Sequence, residues 1–285
     1  MKQRVITGII FFIVMLAILV PAYWYPIISL GLALLIGAVS LHELIKAMKH
    51  GGFKPSVPLI VVGFLLMPLM IVLGKFLIKD LFITTTLYGC LSLMFALATA
   101  ILPQTFDPDK KLKDSLYSVL SFLYVSFPLY CLCATALFFE HGWFYLIVGI
   151  ASSWVSDTLA YFTGVLLGKH KIVPHISPKK TWEGCIGGAV FTGIFMVLYF
   201  GLIVYDIHPV NLGRVPFMLL MFFFGILISA MSQIGDWLAS SIKRAVDIKD
   251  YGNFMPGHGG MLDRFDSVFF TLPIAFIMAI VSIYI

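Results

Sequence analysis

Nine apolar runs of roughly 17–25 residues follow one another along the chain, at about 4–22, 27–45, 57–74, 81–102, 116–139, 143–167, 185–205, 215–235 and 265–285, each long enough to cross a bilayer as a helix. A chain in lipid must satisfy its backbone polar groups internally, so runs of this length leave the helix as the only economical solution. The predicted fold class is therefore an all-α polytopic membrane protein of about nine transmembrane helices. Composition agrees, because 60% hydrophobic and 12% charged residues exclude an ordinary soluble domain. Pro21 and Pro26 bracket the first hairpin, and Tyr23, Trp24 and Tyr25 between them suit an interfacial anchor. Lys2 and Arg4 ahead of the first run resemble the charged start of a signal peptide. No small-residue cleavage site follows, so the run reads as a retained span. Cys90, Cys131, Cys133 and Cys185 fall in or at the edge of apolar segments without metal-type spacing, and read as small buried hydrophobes.

Placement of charge orients the spans. An odd number of spans puts the termini on opposite sides. With the N-terminus in the cytoplasm, 16 of the 19 basic residues fall on the inner side, leaving only Lys75, Lys79 and Arg214 outside. The positive-inside rule then gives a cytoplasmic N-terminus and an external C-terminus. Loops 168–184 and 236–264, the two richest in charge, face the cytoplasm, so a polar catalytic cavity should open there. Residues 1–115 are expected to be a scaffold with a possible dimer surface, and residues 116–285 to carry the cavity. Residues 103–115 read as a solvated linker whose lysines attract anionic head groups. In the second run, Glu43 lies close to Lys46 and Lys49 and reads as their surface partner, with a functional role as the alternative.

Polar residues within the later apolar runs carry the chemistry. Ser153, Asp157, Ala160, Tyr161, Gly164 and Gly168 share one helical stripe of small and polar groups. An ionisable residue inside a span is a functional-site candidate, which singles out Asp157. The competing reading is a carboxyl satisfied by serine and tyrosine hydroxyls. Pro174 and Pro178 forbid a continuous helix in the segment that follows. There Ser177, Lys179, Lys180 and Thr181 can hold phosphate groups by charge and hydrogen bonds, with Trp182 and Glu183 beside them, the competing reading being lysines that act only as topology signals. His170 and His175 lack the spacing of a zinc site. If the eighth run stays helical beyond the membrane surface, Gln233, Asp236, Ser240, Lys243, Arg244 and Asp247 share a face. The segment from Tyr251 to Gly260 must break that helix, after which Asp263 and Asp266 begin the last span. These two carboxylates and Asp236 are candidates for holding a hard divalent cation. The plainer alternative for residues 241–266 is a solvated loop.

The stretch from Ser241 to Asp266 resembles the signature of the phosphatidate cytidylyltransferase (CDP-diglyceride synthase) family. It matches at Ser241, Lys243, Arg244, Lys249, Asp250, Gly252, Pro256, His258, Gly259, Gly260, Asp263, Arg264 and Asp266, with Met255 where a leucine, isoleucine or phenylalanine is usual. SDTLAYFTG and SPKKTWEG upstream are similar to family segments too, so the resemblance covers roughly residues 152–266. It implies transfer of CMP from CTP to phosphatidic acid, with magnesium, by a polytopic homodimer among membrane lipids. It also implies a paired-metal site on Asp236 and Asp263, with Asp266 and Asp157 as further candidate ligands. Lys249, Asp250 and His258 then join the catalytic set, His258 as an orienting group. Ser241, Lys243, Arg244, Gly259, Gly260 and Arg264 join Ser177, Lys179, Lys180, Thr181 and Glu183 in binding substrate. The location implied is a bacterial inner membrane with the site facing the cytoplasm, and no nucleic-acid partner. Two other classes compete. Another CTP-using lipid enzyme (a polyprenol kinase or a CDP-archaeol-type synthase) would share the phosphate chemistry. A transporter would also bury Asp157 in a bundle, but should show an inverted repeat, and none is visible.

Overall fold

A computed structural model describes residues 2–107, 110–174, 177, 179–207, 210–255, 257 and 259–285, with residues 2–5 described by backbone alone. Helix accounts for 80% of the described residues, which form no strand beyond two isolated bridges. The helices are α1 (Lys2–Ala22), α2 (Ile28–His50), α3 (Val57–Leu73), α4 (Leu81–Phe106), α5 (Leu112–Phe138), α6 (Gly142–Leu167), α7 (Trp182–Tyr199), α8 (Arg214–Ala245), the single turn α9 (Leu262–Phe265) and α10 (Val268–Tyr284). A π-helical turn prolongs α3 over Gly74–Ile78 and α7 over Phe200–Val204.

Each predicted apolar run is thus a helix. Among the described residues, six helices are long and apolar enough to cross a membrane: α2, α4, α5, α8, and α3 and α7 with their π-helical ends. The Ile6–Ala22 part of α1 and all of α10 are shorter apolar helices. In α6, Ser152, Ser153, Ser156, Asp157 and Thr158 interrupt the hydrophobic run. Helix α8 does stay helical beyond its apolar run, to Ala245, which leaves Asp247 of the expected shared face outside it. One boundary needs correction: α10 begins only at Val268, so Asp263 and Asp266 precede the last helix rather than opening it.

The chain divides into two compact units, Met1–Phe138 with Lys243–Phe265, and Phe139–Ile242 with Asp266–Ile285. In the first unit α5 is the hub, packed against α2, α3 and α4. Some of its buried hydroxyls bond back along the helix, Ser118 Oγ to the Asp114 carbonyl and Thr135 Oγ1 to the Cys131 carbonyl, whereas those of Ser115 and Ser126 do not. Tyr130 of α5 stacks on Tyr88 of α4 with ring centroids 4.0 Å apart. Cys131 and Cys133 are buried as expected, whereas Cys90 is exposed and Cys185 half-buried.

In the second unit, small residues bring helices into backbone contact. A Cβ on Gly184 would stand 2.7 Å from the Ala160 carbonyl oxygen, and one on Gly188 would stand 2.9 Å from the Ala160 Cβ. At the crossing of α7 and α8, a Cβ on Gly225 would meet Gly193 Cα at 2.6 Å. This is how helices in lipid gain dispersion contacts without a hydrophobic driving force. Beside these crossings lies a core of Tyr145, Val148, Met196, Phe200, Phe217, Met221, Ile228 and Met278 from α6, α7, α8 and α10.

Candidate functional site

The second unit contains a cavity of about 590 Å³ between α6, the 168–181 loop, α7 and α8. Four residues of the small-residue stripe predicted from sequence line it, Asp157, Ala160, Tyr161 and Gly164, whereas Ser153 and Gly168 do not. The loop is shaped by backbone bonds. Ile172 donates its N–H to the Lys180 carbonyl at 3.2 Å, Trp182 donates to His170 at 2.9 Å, and Ser177 donates to Val173 at 2.8 Å. Thr181 ends the loop as the N-cap of α7, its Oγ1 accepting the Gly184 N–H at 3.2 Å. That fold-back brings Lys171, Ser177, Lys179, Lys180 and Thr181 to the cavity wall.

Asp236 and Gln233 of α8 complete the wall. Gln233 Nε2 donates to the Cys185 carbonyl at 3.2 Å and to Ser229 Oγ at 3.1 Å, which fixes the amide and tethers α8 to α7. The Lys180 ammonium pairs with Asp236 Oδ2, the two side chains 24% and 28% exposed, and lies 5.7 Å from the Trp237 ring centroid. The cavity therefore offers several cations to an anionic ligand and carboxylates to a cation. Glu183 stands apart from this lining. In the first turn of α7 it accepts from the His170 backbone N–H at 3.2 Å and pairs with His170 Nδ1 at 2.6 Å, clamping the base of the loop. Ser241 Oγ donates to the Trp237 carbonyl at 2.8 Å. Asp266 is buried, with Oδ1 accepting the Ser267 N–H at 2.7 Å.

Asp263 anchors a different cluster, in the first unit. Its side chain is 4% exposed. Oδ1 accepts from Lys243 Nζ at 2.8 Å, and Oδ2 accepts the N–H groups of Tyr251 at 2.8 Å and Gly260 at 2.9 Å. The backbone must come close for this: Gly259 has φ +86°, and a Cβ there would meet Asp263 Oδ2 at 2.9 Å. Met255 donates its N–H to the Gly259 carbonyl at 2.9 Å, closing the turn. Arg264 is half-buried in α9, while Arg244, Lys249 and Asp250 are exposed. His258 and Pro256 lie outside the described residues.

Among the described residues no three His, Cys, Asp or Glu side chains converge as a ready-made metal cage. A hard cation such as magnesium does not need one, because it takes one or two carboxylates and completes its shell with phosphate oxygens and water. Asp236 and Asp263, each in its own unit, hold a lysine ammonium at one carboxylate oxygen, the kind of charge partner a cation would replace, and Asp263 Oδ2 is also met by two backbone N–H groups. Oxygen donors of this kind fit a hard cation.

Glu43 is the residue that sequence reasoning misplaced. Instead of a surface partner for Lys46 and Lys49, it is 5% exposed and bonded to the backbone of Met261 and Leu262. The signal was present, since Glu43 is an ionisable residue in an apolar run, the rule that singled out Asp157.

Comparison with known proteins covers the whole chain. The Cytidylyltransferase family pattern matches residues 2–282. A phosphatidate cytidylyltransferase of Bacillus subtilis (strain 168) is 30% identical over 285 residues, 99% of each chain. Another, of Staphylococcus saprophyticus, is 31% identical over 282 residues, 98% of this chain and 99% of its own. One from Thermotoga maritima is 35% identical over 172 residues, 60% of this chain and 62% of its own.

Proposed function

The chain belongs to the cytidylyltransferase family, and from that premise we propose that it transfers CMP from CTP to phosphatidic acid, giving CDP-diacylglycerol and pyrophosphate. The observation that carries the reading on the structural side is the cavity where Lys171, Lys179 and Lys180 meet Asp157 and Asp236. An oxygen of the lipid phosphate attacks the α-phosphorus of CTP. A new phosphorus–oxygen bond forms, the α–β phosphoanhydride breaks, and pyrophosphate leaves with the electron pair. The attacking phosphate is already anionic, so no general base is required, and catalysis reduces to positioning and charge stabilisation.

The protein's residues divide that work. Lys179 and Lys180 neutralise phosphate charge, with Asp236 holding the Lys180 ammonium in place. Ser177 and Thr181 offer hydroxyls at the same wall. In the other unit Lys243, Arg244, Lys249 and Arg264 supply further cations along the signature segment. Asp236 and Asp263 each supply a metal-binding carboxylate, with Asp157 and Asp266 as further candidates. Magnesium, when bound, would supply positive charge for the attacking and leaving oxygens. Gly259 and Gly260 let the backbone approach closely, and Asp250 and His258 orient groups along the same segment. The acyl chains stay in the bilayer.

The topology we propose has nine spans, a cytoplasmic N-terminus and an external C-terminus, with the cavity open to cytoplasmic CTP in a bacterial inner membrane. It is supported by the placement of 16 of the 19 basic residues and by the bacterial origin of the relatives. A homodimer belongs to the same proposal on the strength of the resemblance. The test is purified protein in detergent with labelled CTP, magnesium and a panel of lipid phosphates and lipid alcohols. The expected product is CDP-diacylglycerol with pyrophosphate, from phosphatidic acid. Transfer of a phosphate to an alcohol, or CMP transfer only to an isoprenoid-chain lipid, would sink the assignment of substrate.

A further inference from the structure

Three consecutive amides, at Gly260, Met261 and Leu262, lead into Asp263, and two carboxylates divide them. Gly260 donates to Asp263 Oδ2 at 2.9 Å, whereas Met261 donates to Glu43 Oε1 at 3.0 Å and Leu262 to Glu43 Oε2 at 2.8 Å. Glu43 thus grips, with both oxygens, the two peptide groups just before Asp263, from helix α2 some 218 positions away in sequence. Its pocket is built from missing side chains. A Cβ on Gly260 would stand 2.5 Å from both Glu43 carboxylate oxygens, and one on Gly252 would stand 2.5 Å from Oε1. Neither glycine has a positive φ, so the two positions are small to make room rather than to permit a turn. A carboxylate 5% exposed is costly unless several donors meet it, and these amides are those donors.

We propose that Glu43 is a positioning residue for the reaction: it fixes the backbone that presents the Asp263 carboxylate to the metal ion. The inference rests on the reading of Asp263 as a metal-binding carboxylate. Its mechanism is geometric. Both carboxylate oxygens are needed, because two N–H groups point at them. Glutamine keeps the size but turns one acceptor into an NH₂ facing an N–H, so one of the two peptides loses its hold.

The test uses the full-length protein in detergent and compares Glu43→Gln, Gly260→Ala, Glu43→Ala, the double variant Glu43→Ala/Gly260→Ala, and Asp263→Asn with wild type. Three quantities are measured: turnover as a function of magnesium, Mn²⁺ affinity by electron paramagnetic resonance without substrate, and unfolding temperature. Glu43→Gln and Gly260→Ala are expected to weaken Mn²⁺ binding and turnover on the order of tenfold or more, as groups that orient a metal ligand commonly do. In the Glu43→Ala background the methyl added by Gly260→Ala enters vacated space, so the second substitution should add little there. That non-additivity is the signature of a shared contact. Wild-type Mn²⁺ affinity in Glu43→Gln, with Asp263→Asn impaired, overturns the inference and leaves the reading of Asp263 standing. Wild-type affinity in Asp263→Asn overturns both. If Glu43→Gln and Gly260→Ala each lose activity only in proportion to folded protein, Glu43 is a fold-stabilising residue and the inference fails. Additive effects in the double variant overturn it as well.

Discussion

Asp236 and Asp263 carry the same proposed duty from unlike surroundings, and a single substitution separates the two roles a buried carboxylate plays. The Asp263 side chain, 4% exposed, satisfies two backbone N–H groups and an ammonium that is itself 15% exposed. Asp236, 28% exposed, pairs with Lys180 at the wall of the cavity. Asp→Asn at either position should reduce CDP-diacylglycerol formation on the order of a hundredfold or more, since a preorganised charge at the reacting phosphates is lost. Stability should differ. Asp263→Asn turns an acceptor into a donor and strands Lys243, a cost of about 2–4 kcal/mol. Asp236→Asn breaks a partly solvated pair worth about 1 kcal/mol or less. Turnover and thermal unfolding of both variants in detergent check this. Equal unfolding temperatures would contradict the account of Asp263, and wild-type turnover in either variant would remove that carboxylate from the metal site. At this scale the sequence was informative wherever a polar group broke a local pattern, as Asp157 does in α6. It flagged Glu43 as an ionisable residue in an apolar run but could not name its partners, the backbone amides of Met261 and Leu262. No periodicity within α2 records them.

Helices α6 and α7 make the cavity possible by their closeness, and that closeness depends on three positions without a side chain. Gly184, Gly187 and Gly188 face Ala160, Thr163 and the Ser156 carbonyl across the contact. At Gly184 the obstacle to a methyl is a backbone oxygen 2.7 Å away, which cannot rotate aside as a side chain could. Gly184→Ala should therefore push the helices apart, lowering stability by about 1–3 kcal/mol. It should also cost activity, because Gly184 lines the cavity and its neighbour Thr181 caps the same helix. Gly89 in α4 is the matched control. Nothing lies within 4 Å of its added Cβ, so Gly89→Ala should be neutral or slightly stabilising. Unfolding temperature and turnover of the two variants decide the matter, and a harmless Gly184→Ala would show that the contact has slack. Helix existence was legible throughout, because unbroken apolar length leaves a chain in lipid little choice. The ends were less so. Helix α10 opens at Val268, beyond Asp263 and Asp266, and the single turn α9 has its Leu262 N–H taken by Glu43 of α2.

For the molecule as a whole, the consequential quantity is the side of the membrane on which each charged loop lies, since CTP is available on one side only. The described helices occur at every predicted apolar run, and six of them meet the length and apolarity needed to cross. Lysines and arginines concentrate in alternate connections, and Lys169, Lys171, Lys179 and Lys180 make the connection between α6 and α7 one of the most basic. Moving that loop outward would also carry the cavity-lining Lys171, Lys179 and Lys180 away from the nucleotide pool. The prediction is made on Lys169→Cys, an exposed position outside the cavity lining. Cys185, half-buried in the first turn of α7, sits close to the labelled loop, so the native cysteines are first replaced by serine or alanine. A membrane-impermeant maleimide should then leave Lys169→Cys unlabelled in intact cells and label it in inverted vesicles. A second cysteine at Lys79, in the connection between α3 and α4, should show the opposite pattern. Labelling of Lys169→Cys from outside intact cells would invert the topology and remove the cavity from cytoplasmic CTP. The same side for both positions would instead show that the number of crossings between them is even, which nine spans do not allow.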